Sequence, residues 1–125
     1  MAVDEKLEYL LDENWTERWK EQNPGLVRLP LKIIWVSPEE ALKFFAHPFE
    51  NGIPVKNQGI RETSVKMITE GLKKGVKLPP LLHFPVPGGY KTAGGNTYFM
   101  VNEGRNRSFV SWKLGIKKVP VLVQG

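Results

Sequence analysis

Glycine and proline cut this chain into short pieces. Asn23-Pro24-Gly25, Ser37-Pro38, Pro48, Gly75, Pro79-Pro80, Pro87-Gly88-Gly89, Gly94-Gly95, Gly104, Gly115 and Pro120 recur along 125 residues, so no helix or strand has room to run long. No apolar stretch approaches the roughly 18 residues of a membrane-spanning helix. Some 41% of residues are hydrophobic and 25% charged, which is the composition of a folded domain. A chain of this length buries roughly two thirds of the surface its unfolded form exposes, enough for one modest core.

Between the breaks, the hydrophobic period names each element. Val3, Leu7, Leu10, Leu11, Trp15 and Trp19 fall three and four apart, which predicts an acidic amphipathic helix within residues 1–24. Leu29, Leu31, Ile33 and Trp35 alternate, which predicts a strand between Leu26 and Val36 broken near Pro30. Ser37 as N-cap, Pro38 at the first helical position and Glu40 three residues after the cap start a helix that ends near Ala46. A polar loop, His47 to Ile60, separates it from a helix that begins around Arg61, aligns Val65, Ile68 and Leu72, and closes at Gly75. Pro79-Pro80 leads into a strand, Leu81 to Val86. Glycine-rich turns then connect it to a second strand, Thr97 to Asn102, as a long-looped hairpin. Arg105 to Leu114 reads as a helix and Val119 to Val123 as the last strand, whose Pro120 predicts an edge or strand-start position. This is an α+β pattern, with residues 25–125 as one domain behind the N-terminal helix.

The formal charge of +5 is unevenly spread. Residues 1–24 hold seven acids and three bases, net −4, while the rest hold 15 bases and six acids, net +9. Such a basic body suits a polyanionic partner, nucleotide or DNA, although surplus lysine also serves solubility. The acidic face of the helix is a solvated surface or a competitor for an anionic ligand. Its two tryptophans dock on the domain's own core or form a surface for a homodimer or protein partner. Without cysteine, disulfides, thiolate metal sites and cysteine nucleophiles are excluded. Met1-Ala2-Val3-Asp4-Glu5 lacks the basic region of a signal peptide, so a cytoplasmic protein with no membrane partner is expected.

The stretch that carries chemistry is Tyr98 to Ser108. A strand runs through a glycine turn straight into a helix, which aims unpaired backbone N–H groups and a positive dipole end at one spot. Arg105 and Arg107 add guanidinium forks suited to phosphate, Asn106 and Ser108 offer neutral hydrogen bonds, and Gly104 lets the backbone come close. Glu103 has three roles open to it: holding a Mg²⁺ bridged to phosphates, acting as general base, or bonding a ribose hydroxyl. The plain alternative is that Glu103 pairs with an arginine and the arginines cover surface. There is no Gly-Lys-Ser/Thr phosphate loop, and neither glycine pair joins a strand to a helix as a dinucleotide fingerprint requires.

Arg61 through Gly75, then Pro79-Pro80-Leu81-Leu82-His83-Phe84, Tyr98 through Arg107, Leu114-Gly115 and Val119-Pro120-Val121 resemble the N-terminal domain of the ParB/sulfiredoxin superfamily. The likeness covers roughly residues 59–123. It implies a small mixed sheet with helices packed on it, and a nucleotide bound with Mg²⁺ (ATP, ADP or CTP). Glu103, Gly104 and Arg107 match the family's phosphate-contacting turn, and Gln58, Arg61 and Glu62 its upstream nucleotide-contacting segment. Members include partition proteins that act on plasmids or chromosomes, a free-serine kinase branch and proteins described as DNA nucleases. By that likeness Glu103 is the catalytic candidate, and Arg61, Gly104, Arg105, Asn106, Arg107 and Ser108 are the nucleotide- or phosphate-binding candidates.

The departures narrow this. Sulfiredoxin needs a cysteine after the turn glycine, and Arg105 stands there, which excludes its reductase chemistry. The sequence ends one strand past the motif, without the helix-turn-helix module that gives partition proteins specific DNA recognition. Many members have His or Arg where Asn106 stands. A non-enzymatic DNA-binding or docking module is therefore the alternative reading. His47 and His83 lack acidic neighbours at ligand spacing, so no metal site is assigned to them. There is no Gly-x-Ser-x-Gly elbow for a serine hydrolase. Trp35, Phe44, Phe45, Phe99 and Trp112 are expected in the core rather than as base-stacking platforms.

Overall fold

The structure is a computed structural model that describes residues 7–44, 49–50, 53–54 and 61–125. The elements are α1 (Glu13–Gln22), β1 (Leu31–Val36), α2 (Pro38–Lys43), β2 (Phe49–Glu50), β3 (Ile53–Pro54), α3 (Glu62–Lys73), β4 (Leu81–Lys91), β5 (Thr97–Glu103), α4 (Arg105–Lys113) and β6 (Val119–Gln124). β1, β6, β4 and β5 lie in that order in one mixed sheet, and β2 and β3 form a separate short pair.

Strand β6 organises the sheet. Val119, Pro120, Val121 and Leu122 are all buried, as a strand covered on both faces requires. It pairs antiparallel with β1, from Val36↔Val119 to Leu31↔Gln124, and parallel with β4 at Leu81↔Val121 and Leu82↔Leu122. Alternation then divides the core. Leu81, Val119 and Val121 meet Ala41 of α2, Leu72 of α3 and Val110 of α4. Leu82, Phe84, Val101 and Leu122 turn to the opposite face, where Trp15 and Trp19 of α1 cover them. The two tryptophan rings stack at 5.8 Å, and Trp19 meets Phe84 edge-on at 5.8 Å. The tryptophans thus pack on the domain's own core, and α1 lies across the sheet from α4.

Helix starts follow their caps. The Ser37 hydroxyl accepts the Glu40 N–H at 3.2 Å, with Pro38 at the first helical position. Gly75 and Gly115, at φ 73° each, follow α3 and α4.

Four expectations need correction. The N-terminal helix is shorter than its hydrophobic spacing predicts: α1 begins only at Glu13, residues 7–12 are not helical, and residues 1–6 lie outside the described residues. Long-range partners take the backbone instead. Leu11 bridges Leu78, the Asp12 N–H donates to the Leu78 carbonyl at 2.8 Å, and the Leu78 N–H donates to the Leu10 carbonyl at 2.8 Å. The Asp12 carboxylate then caps α1 by accepting the Asn14 N–H at 3.2 Å.

Pro120 does not mark an edge, because β6 is an interior strand. The strand-start alternative holds, since the ladder with β4 begins one residue later, at Val121. Pro87-Gly88-Gly89 is not the hairpin turn: β4 continues to Lys91 with an irregularity between Pro85 and Tyr90, and the turn lies at 92–96. Finally, Trp35 and Phe99 are not core residues but 45% and 61% exposed. Phe44 and Trp112 are half-buried, and Phe45 lies outside the described residues.

Candidate anion-binding site

Strand β5 delivers the chain to a sharp corner. Gly104, at φ 120°, is the N-cap of α4 and supplies no side-chain bond to the helix. Its backbone presses on the core, because a Cβ there would sit 2.6 Å from Leu81 Cγ. Only glycine meets both demands. The first-turn N–H groups of α4 therefore open outward with no intrahelical acceptor.

A shallow pocket of about 410 Å³ lies against this corner. Arg61 and residues 103–107 line it, joined by Ile68 and Asn102, which the sequence reading missed. Asn102 lies two residues before the Gly104 corner, and that nearness to the turn was the available signal. Two helix starts converge here, because the Asn106 Oδ1 accepts the backbone N–H of Arg61, the N-cap of α3, at 2.8 Å. Asn106 thus joins α3 to α4. Asn102 is fixed as well: its Nδ2 donates to the Phe44 carbonyl at 3.1 Å, and its Oδ1 lies 3.2 Å from His83 Nδ1. The His83 ring in turn stacks on Phe44 at 4.6 Å.

The candidate residues divide into two groups. Glu103, Gly104, Arg105, Asn106, Arg107 and Arg61 come together in the pocket. Ser108 does not: it is fully buried, and its hydroxyl donates to the Gly104 carbonyl at 2.9 Å inside the helix. Its assignment as a phosphate contact is withdrawn, because no part of it faces the pocket. Arg107 lines the pocket but is tied behind it. Its Nη1 donates to the Pro79 carbonyl at 2.7 Å and the Pro80 carbonyl at 3.0 Å, and lies 3.5 Å from the Tyr9 hydroxyl. The Tyr9 hydroxyl donates to the same Pro79 carbonyl. Gln58 and His47 lie outside the described residues.

Glu103, Arg61 and Arg105 remain for a ligand. Among the described residues neither Glu103 nor the two arginines form an ion pair; the ion pairs present join Arg18 to Asp12 and Lys20 to Glu17 on α1. The Arg105 Nε is buried and lacks a hydrogen-bond partner among the described residues. Burial lowers the Arg105 pKa from its usual value, and a guanidinium stays charged through such a shift. An unpaired positive fork beside open helix N–H groups favours an anion electrostatically. Among the described residues no three His, Asp or Glu side chains cluster to hold a metal. With Glu103 as the pocket's carboxylate, a Mg²⁺ fits only if phosphates supply most of its oxygens.

A larger depression of about 550 Å³ lies elsewhere, between residues 7–9, Trp35 and residues 116–118. It has Lys117 and Lys118 at its wall but no residue of a helix start in its lining, so the candidate anion site is the smaller pocket.

Fold and site together define an α+β protein with a four-stranded mixed sheet, helices packed on it, and a glycine-cornered, arginine-lined pocket. No family model, curated protein or solved structure matches the chain. No helix among the described residues is long and apolar enough to cross a membrane.

Proposed function

We propose that this protein is a ParB-like domain that binds the phosphate of a nucleotide or nucleic acid at the start of α4. The observation that carries the reading is the convergence of Arg61 and Arg105, neither in an ion pair among the described residues, on the open N-terminus of a helix. In this reading Gly104 admits the phosphate to the backbone, Arg105 and Arg61 neutralise it, and Asn106 keeps the two helix starts in register. Arg107 supports the corner from behind. Glu103 stands where a Mg²⁺ carried in by ATP, ADP or CTP would need its one protein carboxylate, or where a general base would act in hydrolysis or phosphoryl transfer.

Calorimetric titration with ATP, ADP, CTP and GTP in the presence of Mg²⁺ tests this. Wild type is expected to bind at least one of them, and Arg105→Ala to weaken that binding by about tenfold or more, the usual loss of a charged hydrogen bond. Failure of all four to bind more tightly than millimolar, or unchanged affinity in Arg105→Ala, removes the assignment. Turnover is a separate matter. Glu103→Gln is expected to abolish any nucleotide hydrolysis or plasmid nicking while leaving phosphate binding in place; activity retained in that variant would exclude Glu103 as the catalytic group.

A further inference from the structure

The large apolar residues exposed along β5 point to a larger ligand. On β5, an edge strand of the sheet, Tyr98 is 47% exposed, Phe99 61% and Met100 38%. Strand alternation puts Tyr98, Met100 and Asn102 on one face and Thr97, Phe99 and Val101 on the other. Val101 is in the core, whereas Asn102 lines the anion pocket. On the Tyr98 face the exposed residues run unbroken from Tyr98 through Met100 to Asn102, whereas on the Phe99 face buried Val101 separates Phe99 from Glu103, which also lines the pocket.

The Tyr98 ring is paired with Tyr90, centroids 6.0 Å apart, and the Tyr90 hydroxyl donates to the Met100 carbonyl at 3.0 Å, which fixes the pair along the strand. Cations stand at the pocket end of this strip, where Arg105 and Arg61 line the pocket, while Lys91, opposite Thr97 in the ladder, lies on the other face. Residues 81–125 hold six bases and one acid, so an apolar partner with no charge would leave this field unused. Tyr98 to Asn102 spans about 13 Å of strand, which gives room for more than one base along the strip.

We propose that the Tyr98 face of β5 is a stacking platform for the bases of a single-stranded nucleic acid whose phosphate occupies the α4 pocket. The inference rests on the phosphate-binding reading of that pocket and extends it outward. Bases offer a flat π-face to an exposed tyrosine whatever their identity, and the backbone supplies the anions that Arg61 and Arg105 attract. A second copy of the chain pairing along β5 is the competing way to cover the same edge.

The test is fluorescence anisotropy with labelled oligothymidine and oligouridine of about twelve nucleotides, inside the range one small domain engages. The mononucleotide titration and the solution mass are run alongside. Tyr98→Ala is expected to weaken oligonucleotide binding by about tenfold, the scale of one lost stacking contact, and to leave mononucleotide binding unchanged. Tyr98→Phe, which keeps the ring, and Phe99→Ala, on the other face, are expected to bind like wild type. If Tyr98→Ala binds the oligonucleotides like wild type, or if wild type is a dimer that Tyr98→Ala splits, the platform is overturned while the pocket stands. If Arg105→Ala changes neither ligand, the pocket reading fails and the platform with it.

Discussion

Gly104→Ala should unfold this protein at a markedly lower temperature than wild type, with a loss of about 2–6 kcal/mol from two additive sources. The first is conformational. At φ 120° an alanine sits outside every comfortable region for an L-residue, a strain of about 1–3 kcal/mol. The second is steric. The new methyl would lie 2.6 Å from Leu81 Cγ, 3.1 Å from its Cβ and 3.3 Å from its Cα, and Leu81 is fully buried between β6 and the helices. A fully buried leucine whose backbone is itself in the contact has nowhere to retreat, and overpacking of this kind costs about 1–3 kcal/mol. Thermal denaturation should show a drop of about 10–20 °C for a chain of this size. Gly95→Ala is the matched control: its φ is +84°, but nothing lies within 4 Å of the added Cβ, so only conformational strain of about 1 kcal/mol applies. Equal losses in the two variants would show that Gly104 does not press on Leu81. The same variant should also lose anion binding, because any relief of the clash moves the first turn of α4 away from Arg61.

What could be read in advance, and what could not, follows the range of the interactions. Ser37-Pro38 and Gly104-Arg105 announce their helices because a cap is settled within four residues, and both starts fall where the sequence puts them. The pocket was legible to the same extent: Gly104, Arg105 and Asn106 sit on one turn, so their convergence is local. Residues 7–11 carry helical spacing, yet form no helix, because their backbone partners at Leu78 lie 67 or more residues away and no periodicity encodes them. Phe99 reads as core by composition and shares the covered face with Val101, yet it lies two residues further out along an edge strand, where it is 61% exposed. Ser108 looked like a phosphate contact by proximity in sequence, but one helical turn after Gly104 its hydroxyl meets the Gly104 carbonyl first. Arg107 is the sharpest case. Its position in the motif matches a phosphate contact, and only the fold reveals that Pro79 and Pro80, 28 and 27 residues earlier, present two carbonyls to it.

Arg107→Ala is accordingly expected to damage stability before binding, the reverse of Arg105→Ala. Removing the guanidinium strands the buried Pro80 carbonyl that Nη1 serves at 3.0 Å, whereas the Pro79 carbonyl, served at 2.7 Å, keeps the Tyr9 hydroxyl. A buried acceptor left unmade costs about 1–3 kcal/mol, which is the expected loss, read by chemical denaturation. Arg107→Lys should recover only part of it, since one ammonium on a flexible stem does not reproduce a rigid fork over two carbonyls. Tyr9 supplies an independent readout of the same cluster. Burial raises its pKa from the ordinary 10.0, with Arg107 pulling the other way through its charge and hydrogen bond. A raised folded-state value means the phenol keeps its proton more firmly folded than unfolded. That stability is complete below pH 10 and declines as pH rises through the folded-state value. Tyr9→Phe should abolish this alkaline decline. Arg107→Ala should leave the onset at pH 10 but carry the decline to higher pH and deepen it, by removing the opposing positive charge. Should Arg107→Ala instead denature like wild type and lose only anion affinity, the guanidinium serves the ligand rather than the prolines, and the support behind the corner must come from Tyr9 alone.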